Sequence, residues 1–409
     1  MASKSIDQES SQNPGMAYFD QTQYGQSRWW AWLIGFWFFV VGWVIGQGVL
    51  LAPIQDMVGT IDPELNNQIR AANEAIVAKT TSEANVKKVA LYGLGLLVTS
   101  LLTPIFWLIN RNTKETAHRI FGWLTGIMAA SSVIFATLLF PFFNDAEANA
   151  LLTQTMGLSP SMYMLFLLTF PAGLAALYLV QKFILKRTIL SLHTAHKHFR
   201  WNRAFQAALI TLGLYGVISA LLHVTGISPL KATFNSATFF GFALVSLLFI
   251  PLQSATEEIV VRGYMNQGFG HFIKNRYIVY FITSLFFMSL HLANPEAVEG
   301  ASKGPFMFFI TMSSYFLFGF ILCLVVEIDG GLESAIGIHA GNNLFAAIFV
   351  NYENSALPVP SLFLSTPNPK VDIFIAIVML FGLLYLMKKT QPTLERPLLP
   401  PGEDLNALS

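Results

Sequence analysis

The chain has 409 residues, of which 54% are hydrophobic and 11% are charged. Soluble domains carry about 25% charged residues, so this composition excludes an ordinary soluble protein and indicates a membrane protein. The net charge is +1, and the basic residues form no stripe with interleaved aromatic residues, which excludes a nucleic-acid partner. The single cysteine, Cys323, excludes a disulfide framework and a cysteine-based metal site.

The first 28 residues are polar, and we expect residues 1–28 to be a disordered N-terminus without a cleavable signal peptide. A helix needs about 17 to 25 apolar residues to cross a bilayer. About ten such runs follow, at residues 29–53, 89–109, 121–141, 161–181, 204–222, 237–267, 277–293, 305–327, 332–350 and 371–387. The predicted fold class is all-α, a polytopic membrane helical bundle of about ten transmembrane helices. We expect a multi-pass integral membrane protein.

The apolar runs divide into two groups. An N-terminal four-span region covers residues 29–181 and includes a predicted extramembrane loop at 55–88, and a C-terminal membrane domain covers 204–387. A basic segment at 182–203 joins them. Short loops rich in Lys and Arg favour the cytoplasmic side, so we expect this segment to be a solvated cytoplasmic connector. Residues 388–409, rich in proline and polar residues, are expected to be a disordered tail.

Three histidines give the connector a second interpretation. His193, His196 and His198 supply three potential metal ligands within six residues. Their spacing matches no structural zinc pattern. The solvated loop is therefore the favoured interpretation, and a metal site is the alternative.

Two glutamates and an arginine interrupt the apolar run at 237–267, where a buried charge costs at least about 2.5 kcal/mol. Residues four apart share a helix face, so Glu258 and Arg262 can pair and offset each other's burial. Glu257 points about 100° away from them. The sequence predicts an ion pair beside an unpaired acid. The alternative is a structural role, in which both glutamates bind neighbouring helices together.

Two further polar clusters lie in later apolar runs. The stretch FFMSLHLAN places Phe287 and His291 on one helix face, and IGIHAGNNLF places His339 and Asn343 on one face with small residues between them. Small residues allow helices to approach closely. Taken alone, each cluster is more typical of interhelical hydrogen bonding than of catalysis.

The three clusters are expected to meet at one depth in the membrane. A short loop centred near residue 274 joins the runs that carry Glu257 and His291, and both residues lie about 18 Å along their helices from that loop. His339 falls in the middle of its own run. A glutamate, two histidines and an asparagine at one depth can activate a water molecule and stabilise an oxyanion.

Three ordered motifs in these helices resemble those of the CAAX protease and bacteriocin-processing family of intramembrane glutamic endopeptidases, which includes the type II CAAX prenyl endopeptidases. The motifs are EExxxR (Glu257, Glu258, Arg262), FxxxH (Phe287, His291) and HxxxN (His339, Asn343). The resemblance covers about residues 200–350. It implies a glutamate-dependent peptidase that cuts a membrane-associated protein or peptide, with a prenylated CAAX-type protein as one candidate substrate.

The resemblance also implies catalytic roles. Glu257 would be the general base and would act with His291 on a water molecule, while His339 and Asn343 would hold the developing oxyanion. The remaining motif residues would support these four.

Among the supporting residues, Glu258 and Arg262 would orient the catalytic groups, with Phe287 beside them. A zinc site made of the same histidines and glutamates is the alternative chemistry. Neither HExxH nor HxxEH occurs, and zinc would leave Asn343 without an evident role. We therefore expect no metal and no other cofactor.

Other functions are less well supported by the residues. Ser289 faces away from His291, Asp329 lies at a predicted helix end and Asp372 begins the last run, which disfavours serine and aspartyl protease designs. The remaining alternatives are a non-catalytic membrane scaffold or immunity protein and a proton-coupled transporter. The transporter is weakened because the N-terminal runs contain almost no matching ionisable residues. The expected partners are the lipid bilayer and a membrane-associated substrate, with no nucleic acid.

Overall fold

The computed structural model describes residues 14–391 except residues 27, 113–114, 144–145, 354 and 367. Within these residues the helices, in chain order, are α1 (Pro14–Asp20), α2 (Trp29–Ile61), α3 (Pro63–Thr81), α4 (Val86–Asn112), α5 (Glu115–Phe143), α6 (Ala146–Met156), α7 (Pro160–Leu179), α8 (Trp201–Val224), α9 (Ser236–Glu258), α10 (Asn266–Phe272), α11 (Arg276–Leu290), α12 (Pro295–Ser302), α13 (Pro305–Asp329), α14 (Glu333–Leu344) and α15 (Pro369–Lys389). Turns of π-helix extend α7, α9 and α14, at Val180–Ile184, Ile259–Met265 and Phe345–Phe349.

Three short strands form a small sheet. They are β1 (Leu230–Ala232), β2 (Val350–Tyr352) and β3 (Phe363–Ser365), in the order β1-β3-β2. Strand β1 pairs antiparallel with β3, and β2 pairs parallel with β3. Because β1 precedes α9 and β2 follows α14, the sheet ties the start of α9 to the segment that leaves α14.

The chain divides into two compact units, Gln26–Leu185 and the remainder. In the unit Gln26–Leu185, α2 packs against α5 and α7, α4 packs against α5, and α3 packs against α6. The predicted loop at 55–88 is largely helical, because α2 continues to Ile61 and α3 begins at Pro63. Asp62 caps α3 by accepting the Leu65 N–H at 3.0 Å.

Each predicted apolar run overlaps a helix, but about ten membrane spans is not confirmed. Among the described residues, seven helices are long and apolar enough to cross a membrane, or eight if the bent pair α11 and α12 forms one span. Helix α14 has 12 residues, and even with its π-helical turn it rises only about 25 Å, less than the hydrocarbon core of about 30 Å. The chain is a multi-pass helical membrane protein with fewer demonstrable spans than apolar runs.

The prediction of a disordered N-terminus is wrong for residues 14–23, which form α1 and a following 3₁₀ turn, Gln21–Gln23. Tyr18 is fully buried, and its hydroxyl donates to the Leu192 carbonyl at 2.7 Å. Phe19 is also buried and lies against the ring of Tyr280. Burial of two aromatic side chains stabilises a segment whose overall composition is polar. Residues 1–13 and 27 lie outside the described residues.

The connector at 182–203 is not a solvated loop. Leu192, Thr194 and Ala195 are buried, and the Ala195 N–H donates to the Gly330 carbonyl at 2.9 Å. Buried backbone groups need hydrogen-bond partners, and here the turn between α13 and α14 provides them. The basic composition of the segment predicted solvation, but its apolar and hydroxyl side chains pack against this turn.

Two of the connector histidines bind backbone carbonyls. His196 is buried and its Nε2 lies 2.9 Å from the Asp329 carbonyl oxygen. His193 Nδ1 lies 2.9 Å from the Ile189 carbonyl oxygen, and burial lowers the pKa of its imidazole. His198 is exposed. Among the described residues, no three His, Cys, Asp or Glu side chains are placed to hold a metal ion, so the alternative of a metal site from these three histidines is not supported.

A buried charged cluster joins the connector to α13 and α14. Arg203 Nε and Nη2 donate to the two carboxylate oxygens of Asp329 at 3.1 and 2.9 Å. Arg200 Nε and Nη2 donate to the two oxygens of Glu333 at 3.1 and 2.9 Å. Both acidic side chains are fully buried. Arg200 and Arg203 therefore neutralise acids inside the fold, although their sequence position suggested free charges on a cytoplasmic loop.

The C-terminal tail, predicted to be disordered over 388–409, begins inside α15, which extends to Lys389. The Thr390 carbonyl accepts Arg203 Nη1 at 3.0 Å, and the Gln391 side chain donates to the Ile328 carbonyl. These bonds order the first residues of the predicted tail. Residues 392–409 lie outside the described residues.

Helix α14 packs closely against α8 because glycines face that helix. A Cβ at Gly337 would lie 2.2 Å from the Ala204 carbonyl oxygen, and one at Gly341 would lie 2.9 Å from the Ala208 carbonyl oxygen. Gly330, between α13 and α14, has φ +65° and a similarly close neighbour, so this turn also requires glycine. The expectation that small residues permit close helix approach near His339 is confirmed.

Candidate active site

The first motif lies where α9 passes into its π-helical turn. Glu258 and Arg262 have fully buried side chains, and Arg262 Nη1 donates to Glu258 Oε1 at 3.0 Å. The predicted pairing is confirmed. Short π-helical turns within α-helices occur often at functional sites, because they shift which side chains share a face. Here the turn begins directly after Glu258 and contains Arg262.

Glu257 lies beside this pair. The sequence predicted an unpaired acid, but the structure gives Glu257 two polar neighbours. The Gln253 side-chain amide donates to Glu257 Oε1. Glu257 Oε2 lies 3.8 Å from His339 Nε2, and the carboxylate is 14% exposed where that of Glu258 is fully buried. Glu257 is therefore the more exposed of the two acids.

His339 connects the two glutamates. Its Nδ1 lies 2.7 Å from Glu258 Oε1, while its Nε2 faces Glu257. A carboxylate that is paired with Arg262 accepts hydrogen bonds, so Nδ1 carries the proton of this bond. One histidine on α14 thus joins both acids of α9, and its ring orientation is fixed by Glu258.

Phe287 lies between Arg262 of the first motif and His291 of its own motif. Its side chain is buried, and the guanidinium carbon of Arg262 lies 4.3 Å from its ring centre. A cation over an aromatic face is stabilised by the ring quadrupole. The ring centroid also lies 4.6 Å from that of His291, 6.0 Å from that of His339 and 6.3 Å from that of Phe318. Phe287 therefore contacts one residue from each of the three motifs.

The predicted run at 277–293 implied that His291 lies within a continuous helix. In the structure it does not. Helix α11 ends at Leu290, and α12 begins at Pro295 at an angle of 86° to it. A residue before proline disfavours helical backbone, and Asn294 is extended, which ends the helix here. His291 therefore occupies the bend, as the residue that caps α11.

The imidazole of His291 is held on two sides. Its Nδ1 donates to the Phe287 carbonyl at 2.8 Å, which leaves Nε2 as the nitrogen without this proton. Its ring stacks on Tyr315 of α13, with 4.3 Å between centroids and 26° between planes. The Tyr315 hydroxyl accepts the Asn294 amide at 3.1 Å and lies 3.5 Å from Glu296 Oε2.

Asn343 completes the group from α14. Its Nδ2 donates to Gln253 Oε1 at 3.1 Å, and the Asn342 amide donates to Asn343 Oδ1 at 2.9 Å. The amide nitrogen of Asn343 is the type of donor that stabilises an oxyanion. Because Gln253 also donates to Glu257, the side-chain amide of Gln253 lies between Glu257 and Asn343.

The structure thus brings all seven motif residues into one cluster, with His291 at its edge. Gln253 and Tyr315 also belong to this cluster, although neither is part of the three motifs. Gln253 is a polar residue four positions before Glu257 in an apolar helix, so helix geometry alone placed it on the same face. Tyr315 gave no such signal, because its contact with His291 depends on how α13 packs against α11.

Residues of the disfavoured protease designs have other partners. The Ser289 hydroxyl donates to the Phe286 carbonyl at 2.7 Å. Asp329 binds Arg203, and Asp372 Oδ2 accepts the Asn368 N–H at 3.0 Å. These contacts are structural.

Comparison with known proteins points to one family. Residues 236–345, which contain all three motifs, match the family described as type II CAAX prenyl endopeptidase, Rce1-like. The chain belongs to this family. The Rce1-like family consists of membrane proteases of the CAAX type, in agreement with the apolar helices. A 210-residue stretch, half of this chain, is 30% identical to the uncharacterized protein YyaK of Bacillus subtilis (strain 168) and covers 67% of it. No solved structure matches.

Proposed function

We propose that the protein is an intramembrane endopeptidase that hydrolyses a peptide bond of a membrane-associated protein or peptide. The observation that carries this proposal is the placement of His339 between Glu258, at 2.7 Å, and Glu257, at 3.8 Å, with Asn343 held beside Glu257 through Gln253. This arrangement places two candidate oxyanion donors, His339 and Asn343, beside a carboxylate that can act as a general base. A prenylated CAAX-type protein is the candidate substrate that the Rce1-like family suggests.

In the proposed reaction Glu257 is the general base. It takes a proton from a water molecule whose oxygen attacks the scissile carbonyl carbon, and the proton is then given to the leaving amine as the C–N bond breaks. His291 assists, because its Nδ1 is bound to the Phe287 carbonyl and its Nε2 can accept a hydrogen bond from the same water. General bases of this kind contribute about 10²- to 10⁴-fold to the rate.

His339 and Asn343 are the proposed oxyanion donors. A donor N–H at His339 Nε2 requires the imidazolium form, since Nδ1 already donates to Glu258. The imidazolium would balance the charges of the cluster, with Glu257 and Glu258 as anions and Arg262 and His339 as cations. Removing one oxyanion donor lowers kcat by about 10²- to 10³-fold in other hydrolases, so we expect a loss of this size in Asn343→Ala.

The first test is cleavage by the purified protein in detergent. Wild type and Glu257→Gln are compared on a prenylated CAAX peptide and on a pool of membrane-protein peptides, with product masses measured to locate the cut. We expect cleavage by wild type and loss of about 10²- to 10⁴-fold in Glu257→Gln, with equal melting temperatures. Equal cleavage by the two proteins would remove Glu257 from the mechanism. Capture of a membrane protein by both, without cleavage by either, would favour a non-catalytic scaffold or immunity protein.

We also propose that the protein resides in the inner membrane of a prokaryote. The relative from Bacillus subtilis supports a bacterial origin, and the spanning helices support residence in a membrane. Fractionation of the native host, with the protein detected in inner-membrane vesicles, tests this proposal.

A further inference from the structure

We propose that Gln253 is a positioning residue that fixes Glu257 and Asn343 relative to each other, an inference that rests on the proposed peptidase function. Its side chain lies one helical turn before Glu257 and is only 7% exposed. It binds the proposed base on one side and the proposed oxyanion donor on the other. None of the three family motifs includes this position.

The orientation of the Gln253 amide follows from its partners. A carboxylate only accepts hydrogen bonds, so the amide nitrogen of Gln253 faces Glu257 Oε1. The amide nitrogen of Asn343 only donates, so the carbonyl oxygen of Gln253 faces Asn343 Nδ2 at 3.1 Å. The Ser254 hydroxyl donates to the same carbonyl oxygen at 3.2 Å. The hydrogen bonds with Glu257, Asn343 and Ser254 all require the same orientation of the Gln253 amide.

This orientation assigns the atoms of the proposed reaction. Glu257 Oε1 accepts the Gln253 amide, whereas Oε2 is buried, faces His339 and has no hydrogen-bond partner among the described residues. Oε2 is therefore the oxygen assigned to take the proton from a water molecule that enters the site. Asn343 Nδ2 carries two hydrogens, and Gln253 Oε1 accepts one of them at 3.1 Å. The Ser254 hydroxyl oxygen lies 3.5 Å from the same nitrogen, a long contact that a substrate oxyanion can replace. Gln253 thus directs both the base and the donor towards the same space.

The side chain must also be neutral to perform this role. The titratable and charged groups around Glu257 are Glu258 and Arg262 on its own segment, His339 on α14 and Tyr315 on α13. A glutamate at position 253 would add an anion in direct contact with Glu257. Like charges at this separation favour protonation of one partner, so Glu257 would bind its proton at a higher pH. An amide avoids this competition while keeping the hydrogen bond.

The test compares Gln253→Glu and Gln253→Met with wild type over a range of pH. Gln253→Met keeps the length of the side chain and removes both hydrogen bonds; we expect kcat to fall about 10- to 100-fold with KM changed less than about threefold. For Gln253→Glu we expect the acidic limb of the kcat profile to move to higher pH by about one unit or more. A structural role alone would lower the amount of folded protein without moving the profile.

The matched control is Gln267, a second buried glutamine farther along the same helical segment. It accepts Arg187 Nη1 at 3.2 Å and donates to the Ser191 carbonyl at 2.8 Å, and neither partner belongs to the three motifs. Gln267→Met should lower the melting temperature and leave the pH profile unchanged. The role of Gln253 would be overturned if both Gln253 variants had the kcat and pH profile of wild type in an assay where Glu257→Gln is inactive. That outcome would still support the proposed peptidase function.

A second measurement needs no substrate and is made whatever the cleavage assay gives. Melting temperatures of Gln253→Met, Asn343→Ala and the double variant form a double-mutant cycle. We expect the double variant to melt higher than the sum of the single losses predicts, because the two residues share one hydrogen bond. Additive losses would show that the two side chains do not interact and would contradict the proposal, whereas activity in Glu257→Gln would contradict the peptidase function instead.

Discussion

Arg262 and His339 meet at a single oxygen atom. Glu258 Oε1 accepts Arg262 Nη1 at 3.0 Å and lies 2.7 Å from His339 Nδ1. One fully buried carboxylate therefore holds an arginine of its own helix and a histidine of α14. The stability of the bundle and the orientation of the histidine depend on the same group, which is why changes at Arg262 should affect both.

Arg262→Ala should destabilise the protein by about 3–5 kcal/mol, because it leaves Glu258 buried without its main cation. Cleavage should fall as well, since the orientation of His339 depends on Glu258. Thermal unfolding in detergent measures the first effect and peptide cleavage the second. The double variant Glu258→Gln, Arg262→Leu removes both charges and should recover most of the lost melting temperature without recovering activity. A single Arg262→Ala variant that melts like wild type would show the pairing argument to be wrong.

Lys303→Ala is the control for this comparison. Lys303 and Glu299 also form an ion pair four residues apart, but their side chains are 44% and 32% exposed. Exposed pairs contribute at most about 1 kcal/mol, so the melting temperature should change little.

The close approach of α8 and α14 makes a second prediction. Gly337→Val places a side chain where a Cβ alone meets the Ala204 carbonyl oxygen at 2.2 Å. We expect a loss of stability of about 1–3 kcal/mol from this overpacking, together with reduced cleavage because α14 carries the proposed oxyanion donors. Gly213→Ala is the matched control on α8, where a Cβ meets no atom within 4 Å, and it should be neutral or slightly stabilising. Melting and cleavage measured on the same preparations separate a shifted helix from an unfolded protein.

Much of the helix layout could be predicted from hydropathy, because a helix forms most of each apolar run. The Glu258–Arg262 pair was also predictable, since residues four apart on a helix must share a face. The bend at His291 could have been found from Pro295, which follows Asn294 and cannot continue α11. These features depend on local geometry, which the sequence carries directly.

The features that were missed depend on contacts between distant segments. The burial of Tyr18 requires the connector, and its partner Leu192 lies 174 residues away. Arg200 and Arg203 appeared as loop charges because Asp329 and Glu333 are more than a hundred positions later in the chain. Counting basic residues to assign membrane sides is unreliable where such charges are neutralised inside the fold.

Tyr315 supports a third prediction, which concerns the orientation of His291. Tyr315→Leu removes the aromatic face that stacks on the imidazole at 4.3 Å, and kcat should fall about tenfold with KM changed little. Tyr315→Phe keeps the stack and loses only the hydroxyl contacts with Asn294 and Glu296, so it should retain most of the activity. Steady-state kinetics on one peptide compares the two. If phenylalanine is as damaging as leucine, the hydroxyl network and not the stacked ring orients His291.

Metal chelation gives the last prediction. In the proposed mechanism Glu257 activates the water, Glu258 binds Arg262 and His339, and Asn343 is an amide donor that a zinc site would not use. Cleavage should therefore survive incubation with 1,10-phenanthroline followed by buffer exchange, while Glu257→Gln stays inactive with or without added zinc. Metal content measured by mass spectrometry on the same samples is the control. Loss of cleavage on chelation and its return on adding zinc would instead assign Glu257, His291 and His339 as metal ligands, and the water would then be activated by the metal ion.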